Sequence, residues 1–251
     1  MRQFDVFVFD NSCDFDSWKP TLEDDALGWF HTRNWNNDLN QLEAEWIVFA
    51  HPHINIDREF LNELALATDG FPMVDAFAPR IRLNGQFYGG LLINGAKGFS
   101  PISDREELRY VAGPNPFIGV FSRRIIQRTG IFDLDLPESL RLLDYSLRMA
   151  HAGGRMFSIP YLVAKAFDEK ISQEENAVID GSFLNKKNII PDLWPLMYKN
   201  LPNMTTLKYS IRHPSMIGRY FRTPENIEEK RSKAVLLSKL SEKKLQEISC
   251  K

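Results

Sequence analysis

Trp46-Ile47-Val48-Phe49-Ala50-His51-Pro52-His53-Ile54-Asn55-Ile56-Asp57 decides how this chain folds. Its first five residues are all apolar and rich in aromatic and β-branched types. They read as a strand buried on both faces of a parallel sheet. Pro52 has no amide hydrogen for a ladder, so the strand ends at or just before it. Ligands of open α/β sheets lie beyond the carboxyl ends of the strands. The polar triplet His51-Pro52-His53 is therefore a candidate site.

Working outward, Phe4 to Phe9 forms a second apolar run that leads directly into Asp10-Asn11-Ser12. A buried strand running into Asx and Ser residues describes a carboxyl-end loop, so two strands deliver polar clusters to one edge. Asp10 there suits a ribose or a base edge, and equally a turn. Ser17 to Asn40 shows no clean period; Leu39, Leu42 and Ala44 suggest a short helix before Trp46. The amide-rich Trp35-Asn36-Asn37-Asp38 suits ligand contact and also a helix start with Asn or Asp as cap.

Downstream, Asp57 to Ala67 reads as a helix capped by Asp57, with Phe60, Leu61 and Leu64 as its apolar stripe. Met73 to Ala78 reads as a strand closed by Pro79. Arg80 to Leu92, with Gly85 and Gly89-Gly90, suits a hairpin or a β-lined loop, and Asn94 to Ser103 a loop. Phe117 to Ser122 is a short strand followed by a helix that Gly130 ends. Leu140, Leu143, Leu147 and Ala150 mark one face of a further helix, stopped by Gly153-Gly154, with Asp144 in its middle. Asp is a poor helix-interior residue unless it caps, pairs or works.

The bulk numbers bound these readings. The 251 residues are 43% hydrophobic and 25% charged, an ordinary globular composition. A net charge of -2 gives no global field to draw nucleic acid or a membrane. Two cysteines, Cys13 and Cys250, exclude a disulfide framework and point to a reducing, cytoplasmic setting. No apolar run reaches transmembrane length, and the N-terminus shows no charged-then-apolar leader pattern.

In their order these pieces resemble a glycosyltransferase of the A-type fold, most like family 2. The resemblance rests on Val8-Phe9-Asp10-Asn11-Ser12, on Trp35 to Asp38 and on Trp46 to His53. It continues through Gly119-Val120-Phe121-Ser122-Arg123-Arg124, Gly130-Ile131-Phe132-Asp133, and Asp144-Tyr145-Ser146-Leu147-Arg148 with Ala152-Gly153. It spans residues 5 to 160. Three departures accompany it. The family has a further strand and helix ahead of the Asp-Asn-Ser loop. His51-Pro52-His53 stands where an Asp-x-Asp metal motif is usual. Arg141-Leu142 stands at the usual Glu-Asp pair when the helix is aligned without gaps, whereas a short deletion puts Asp144 on the usual base.

What the resemblance implies is an α/β domain over residues 1–165, with a Rossmann-like, mostly parallel sheet flanked by helices. A mainly helical extension over 166–251 would pack on that domain or on a partner. The implied activity moves a sugar, with inversion, from a nucleotide-sugar donor to a glycan or lipid-linked acceptor, as in surface polysaccharide synthesis. Asp144 is the implied base. Asp10, Asn11, Asn37, His53 and Arg148 are the implied donor contacts. The alternative from another class is an inactive transferase-like domain that binds glycan or a partner transferase.

The chemistry needs the departing nucleoside diphosphate neutralised and the acceptor hydroxyl deprotonated. In an extended segment His51 and His53 project to one side. Two neutral imidazoles there suit Mn²⁺ or Zn²⁺ better than Mg²⁺. Asp57 offers a further carboxylate, against its cap role. A site without metal, in which imidazolium, Arg or Lys neutralises phosphate, and a site whose histidines merely pack are the alternatives. An Asp144–Arg148 pair at i,i+4 is the structural reading of that helix.

Beyond Pro160 the family pattern fades. Asn203 to Arg222 has no acidic residue and interleaves Lys208, Arg212, Arg219 and Arg222 with Tyr209, Tyr220 and Phe221. Such a surface suits anionic lipid headgroups, a lipid-diphosphate acceptor, a partner, or plain solvation. Glu225 to Ile248 reads as a charged docking or oligomerisation helix, so peripheral membrane contact or self-association would run through Asn203–Ile248.

Overall fold

The computed structural model describes residues 4–9, 20, 22, 27–32, 36, 39–93, 99–103, 108–130, 132–134, 136 and 138–167. The two apolar runs that open the reading are strands β1 (Phe4–Phe9) and β3 (Trp46–Ala50), every residue of both buried. They lie side by side and parallel, Phe4 opposite Trp46 and Val8 opposite Ala50. Their alternating side chains enter two different cores. Phe4, Val6, Val8, Trp46, Val48 and Ala50 face one. Phe7, Phe9, Ile47 and Phe49 face the other. A strand with a core on each side needs apolar residues at successive positions, which is why both runs are continuous.

The exception is Asp5, fully buried within β1. One of its carboxylate oxygens accepts from the amides of Glu43 and Ala44 at 2.7 and 2.8 Å, holding the turn that feeds β3. On the far side of β1 lies β2 (Leu27–Thr32), also parallel. It occupies part of the stretch that showed no period. Between β2 and β3, Leu39–Gln41 forms one turn of 3-10 helix where a short helix was expected.

The chain then makes β4 (Ile54–Asn55) and helix α1 (Arg58–Gly70), whose N-cap Asp57 accepts from the Phe60 amide at 2.9 Å. Phe60, Leu61, Leu64 and Ala67 turn into the core, as the stripe predicts. Strand β5 (Ala76–Phe77) is shorter than the expected Met73–Ala78. Met73 is 73% exposed, and Asp75 holds the amide of Arg155 and the Arg124 guanidinium before pairing begins.

The expected hairpin is β6 (Arg80–Leu83) and β7 (Gln86–Ile93). Asn84 and Gly85 both take positive φ (50 and 76°), the primed turn that matches strand twist. A register shift falls between Tyr88 and Leu91, around Gly89-Gly90. A Cβ on Gly90 would sit 2.9 Å from that of Ala78, so only glycine fits this approach. Residues 99–103, expected as loop, extend the ladder as β8 (Phe99–Ser103).

There follow β9 (Arg109–Tyr110), β10 (Ile118–Ser122), α2 (Arg123–Thr129), α3 (Glu138–His151), β11 (Met156–Ser158) and β12 (Val163–Ala166). Ser122 caps α2 at one end, and Gly130, at φ 89°, ends it at the other. The seven-stranded sheet runs β2-β1-β3-β10-β5-β11-β9, and a five-stranded sheet runs β4-β12-β6-β7-β8. The first is mostly parallel, with β10 and β9 reversed. The fold is α/β. The expected extension lies outside the described residues beyond Phe167, as do Asn203–Arg222 and Glu225–Ile248. Among the described residues no helix is long and apolar enough to cross a membrane.

Replacing Asp5 with Ala leaves the Glu43 and Ala44 amides without their acceptor inside the protein. The expected cost is about 2–4 kcal/mol, since each such loss removes a charge-assisted bond. Urea denaturation of Asp5→Ala measures it.

Candidate active site at the carboxyl edge of the sheet

Because β1 and β3 are parallel and in register, both end at the same edge. Phe9, the last residue of β1, contacts the His51 ring edge-on at 6.0 Å between centroids. Asp10 and Asn11 follow Phe9 in sequence; they and Asn37 lie outside the described residues. His51 to Ile54 is not the extended segment expected but a tight turn, closed by the Ile54 amide on the His51 carbonyl at 2.9 Å. Proline's fixed φ suits Pro52 to the first inner position of that turn.

The turn still brings the two imidazoles together, edge to face at 5.0 Å. His51 is fixed from several sides. Its amide bonds the Phe117 carbonyl at 2.8 Å and its ring lies 4.3 Å from that of Phe117. Its Nδ1 accepts from the His53 amide at 3.3 Å. The Phe167 amide then donates to the His53 carbonyl at 2.9 Å, so the chain leaving β12 is tied to the turn.

Asn115 organises the opposite wall. Fully buried, it accepts on its side chain from the Phe117 amide at 3.1 Å and on its carbonyl from Ile118 at 3.1 Å, starting β10 beside His51. Sequence reading missed it. Its signal was an Asn between Pro114 and Pro116, a turn former held by two residues that donate no amide.

The other expected ligands have definite partners. Asp57 is committed to its cap and to Lys165, whose ammonium lies 3.0 Å away and 2.6 Å from Glu59. Burial pushes the Asp57 carboxyl up, but the Phe60 amide and Lys165 outweigh it and hold it below the ordinary range. The Glu59 and Asp57 carboxylates raise Lys165. Asn36 reaches a distant segment of the chain. Its amide group brackets Phe132, donating to the carbonyl at 3.0 Å and accepting from the amide at 2.9 Å. Phe132 in turn lies 5.0 Å from Phe49 of β3.

Asp144 lies inside the protein, 0% exposed in the middle of α3. Arg148 donates to it at 3.0 Å, and its guanidinium lies over the Tyr145 ring at 5.0 Å. Burial raises the Tyr145 hydroxyl above its ordinary range, against the nearby Arg148 charge. The structure thus brings His51 and His53 together at the sheet edge, and places Asp144 and Arg148 together in the packing of α3.

Among the described residues a cation finds an incomplete set of donors here. Among the described residues no group of three or more His, Cys, Asp or Glu side chains is placed to hold a metal ion. His51 has one nitrogen engaged by the turn, and Asp57 is engaged by Lys165. The described side chains therefore do not make up a Mn²⁺ site.

No family model matches this sequence, and no curated protein matches it. Similar solved structures include residues 1–349 of S. aureus TarS in complex with UDP-GlcNAc, at 12% identity and TM-score 0.46, covering 98% of this chain and 90% of that one. Another is the mannosyltransferase PcManGT from Pyrobaculum calidifontis in complex with GDP-Man and Mn²⁺, at 11% identity and TM-score 0.44, covering 99% and 84%. A third is GalNAc-T7 with UDP, GalNAc and Mn²⁺, at 8% identity and TM-score 0.45, covering 84% of this chain and 54% of that one. The chain thus spans about half the length of GalNAc-T7. At this identity and superposition they assign no residue of this chain a role.

Two outcomes follow from the polar ties. Asn36→Ala removes both bonds to Phe132 and is expected to cost about 1–3 kcal/mol by urea denaturation. The lowered Asp57 carboxyl contributes stability above its unfolded pKa of about 3.9, lost as pH falls through its folded value. Asp57→Asn keeps a capping side chain but removes the charge, so the acid-side fall in thermal midpoint becomes shallower.

Proposed function

We propose that the chain is a glycosyltransferase that draws its sugar from a nucleotide-sugar donor and passes it, with inversion, to a glycan or lipid-linked acceptor. The observation that carries this reading is the shared carboxyl edge of β1 and β3, where Phe9 meets His51. Ligands collect at such an edge because strand carbonyls and loop side chains are left there without ladder partners. The order of sequence motifs from residue 5 to residue 160 adds the transferase chemistry.

In this reading Asp10 and Asn11, directly after Phe9, take the nucleoside, with Asn37 as a further donor contact. His53 faces the diphosphate, and His51 positions it through the bond from the His53 amide. An imidazolium beside the departing diphosphate neutralises the charge that develops there.

The base implied by the resemblance is Asp144, and burial sets a condition on that role. The acceptor hydroxyl must be brought to a carboxylate that is enclosed and already paired with Arg148. A positioning role meets no such condition and is the one this placement favours: the Asp144–Arg148 pair then holds α3 through Tyr145, which packs on Phe121 and Phe132. The same burial favours the second reading, a domain that binds glycan or a partner transferase without turning over a donor.

Calorimetry with a panel of nucleotide sugars and nucleoside diphosphates, in Mn²⁺ and again in EDTA, tests the proposal. Binding of one donor is expected, and the EDTA arm reports whether a cation takes part. Silence across the panel overturns the donor assignment and leaves the binding-domain reading. Asp144→Asn separates the two roles of that residue. A base gives a loss of kcat of about 10²–10⁴ with the thermal midpoint retained. A positioning residue gives a lower midpoint, and activity that falls with it.

A further inference from the structure

The five-stranded sheet presents one row of side chains straight across four of its strands. Lys165 of β12 is opposite both Asn55 of β4 and Arg82 of β6, and Arg82 is opposite Phe87 of β7. Directly paired residues project to the same face. The other face carries Ile54, Ile81, Leu83 and Ala164 into the core, so this row faces outward. Above it is an open pocket of about 330 Å³ lined by Arg82, Lys165, Phe87 and the Asn84-Gly85 turn. That volume is at the lower end of the range that holds small ligands.

Two cations on directly opposed positions repel, and the chain compensates them unequally. Lys165 has Asp57 at 3.0 Å and Glu59 at 2.6 Å. Arg82 is exposed and has no carboxylate partner among the described residues. Its planar fork of donors is suited to two oxygens of one anion. Beside it Phe87 offers an apolar surface, with the Arg80 guanidinium 5.9 Å from its ring centroid. A guanidinium next to an aromatic face matches a ring that is apolar on its flat side and carries an oxyanion at its rim.

The pocket adjoins the candidate active site. Ala166, part of its lining, precedes Phe167, whose amide bonds the His53 carbonyl. We propose that this pocket is a subsite for a sugar bearing phosphate or carboxylate, with Arg82 as the group that binds the oxyanion and Phe87 as the surface under the ring. As a subsite for the acceptor it rests on the transferase reading; as a site for an anionic sugar it stands on the pocket alone.

Ligand-observed NMR on the full chain, titrated with glucose, glucose 6-phosphate and glucuronate, tests it. At least one anionic sugar is expected to bind tenfold or more tightly than glucose, and the two arms tell phosphate from carboxylate. Arg82→Gln is expected to abolish that advantage and Arg82→Lys to retain part of it. Inorganic phosphate should displace the anionic sugar from the unmutated chain, which tests the site even if a variant folds poorly. Equal binding of glucose and both anionic sugars, an advantage that survives Arg82→Gln, or failure of phosphate to compete overturns the proposal. Nucleotide-sugar binding is measured on the same samples. An anionic-sugar advantage without donor binding overturns the transferase reading and supports this site.

Discussion

Parallel pairing of β1 with β3 is the interaction on which the rest depends. Each strand is buried on both faces, so its amides and carbonyls have no water and must find ladder partners. β1 finds them in β2 and β3, and β3 in β1 and β10. A slip of one residue would send Phe7, Phe9, Ile47 and Phe49 into the wrong core, so the register is strongly determined. That register sets Phe9 beside His51 and makes one edge of two separate segments.

Around this pair, buried and half-buried polar side chains hold the connections. Asp5 takes the amides before β3, Asp75 ties Arg124 to the amide of Arg155 before β5, Asn115 starts β10, and Asn36 brackets Phe132. Each accepts from at least one backbone amide that needs a partner within the fold. Loops of this kind carry polar residues for the same reason that sites do. In a linear sequence Asn36, Asp57 and Asp144 therefore look alike as candidates for chemistry, although two of them are engaged by long-range contacts and the third by an ion pair within its helix.

The histidine turn shows how local and distant constraints combine. Pro52 stops the ladder and bends the chain; Phe117 of the neighbouring segment receives the His51 ring; Phe167, more than a hundred residues later, closes on the His53 carbonyl. The backbone at the edge is thus fixed from both sheets. The two sheets meet at this point because β4 follows the turn directly and β12 pairs with it.

The sequence by itself determined the elements whose signals are local. Continuous apolar runs marked β1, β3 and β10; the Asp57 cap and Gly130 bounded helices; Gly85 marked the hairpin. Each of these follows from backbone sterics or from burial of the segment's own side chains. Tertiary structure decided the rest. β2 has no period of its own and exists by pairing with β1. Met73 is left outside a strand that residues far away cut short. Asp144 reads as a candidate base, and its enclosure is set by how α3 packs. The row Asn55-Lys165-Arg82-Phe87 is invisible in sequence, because strand pairing brings together residues up to 110 positions apart, and no local pattern encodes which strands become neighbours.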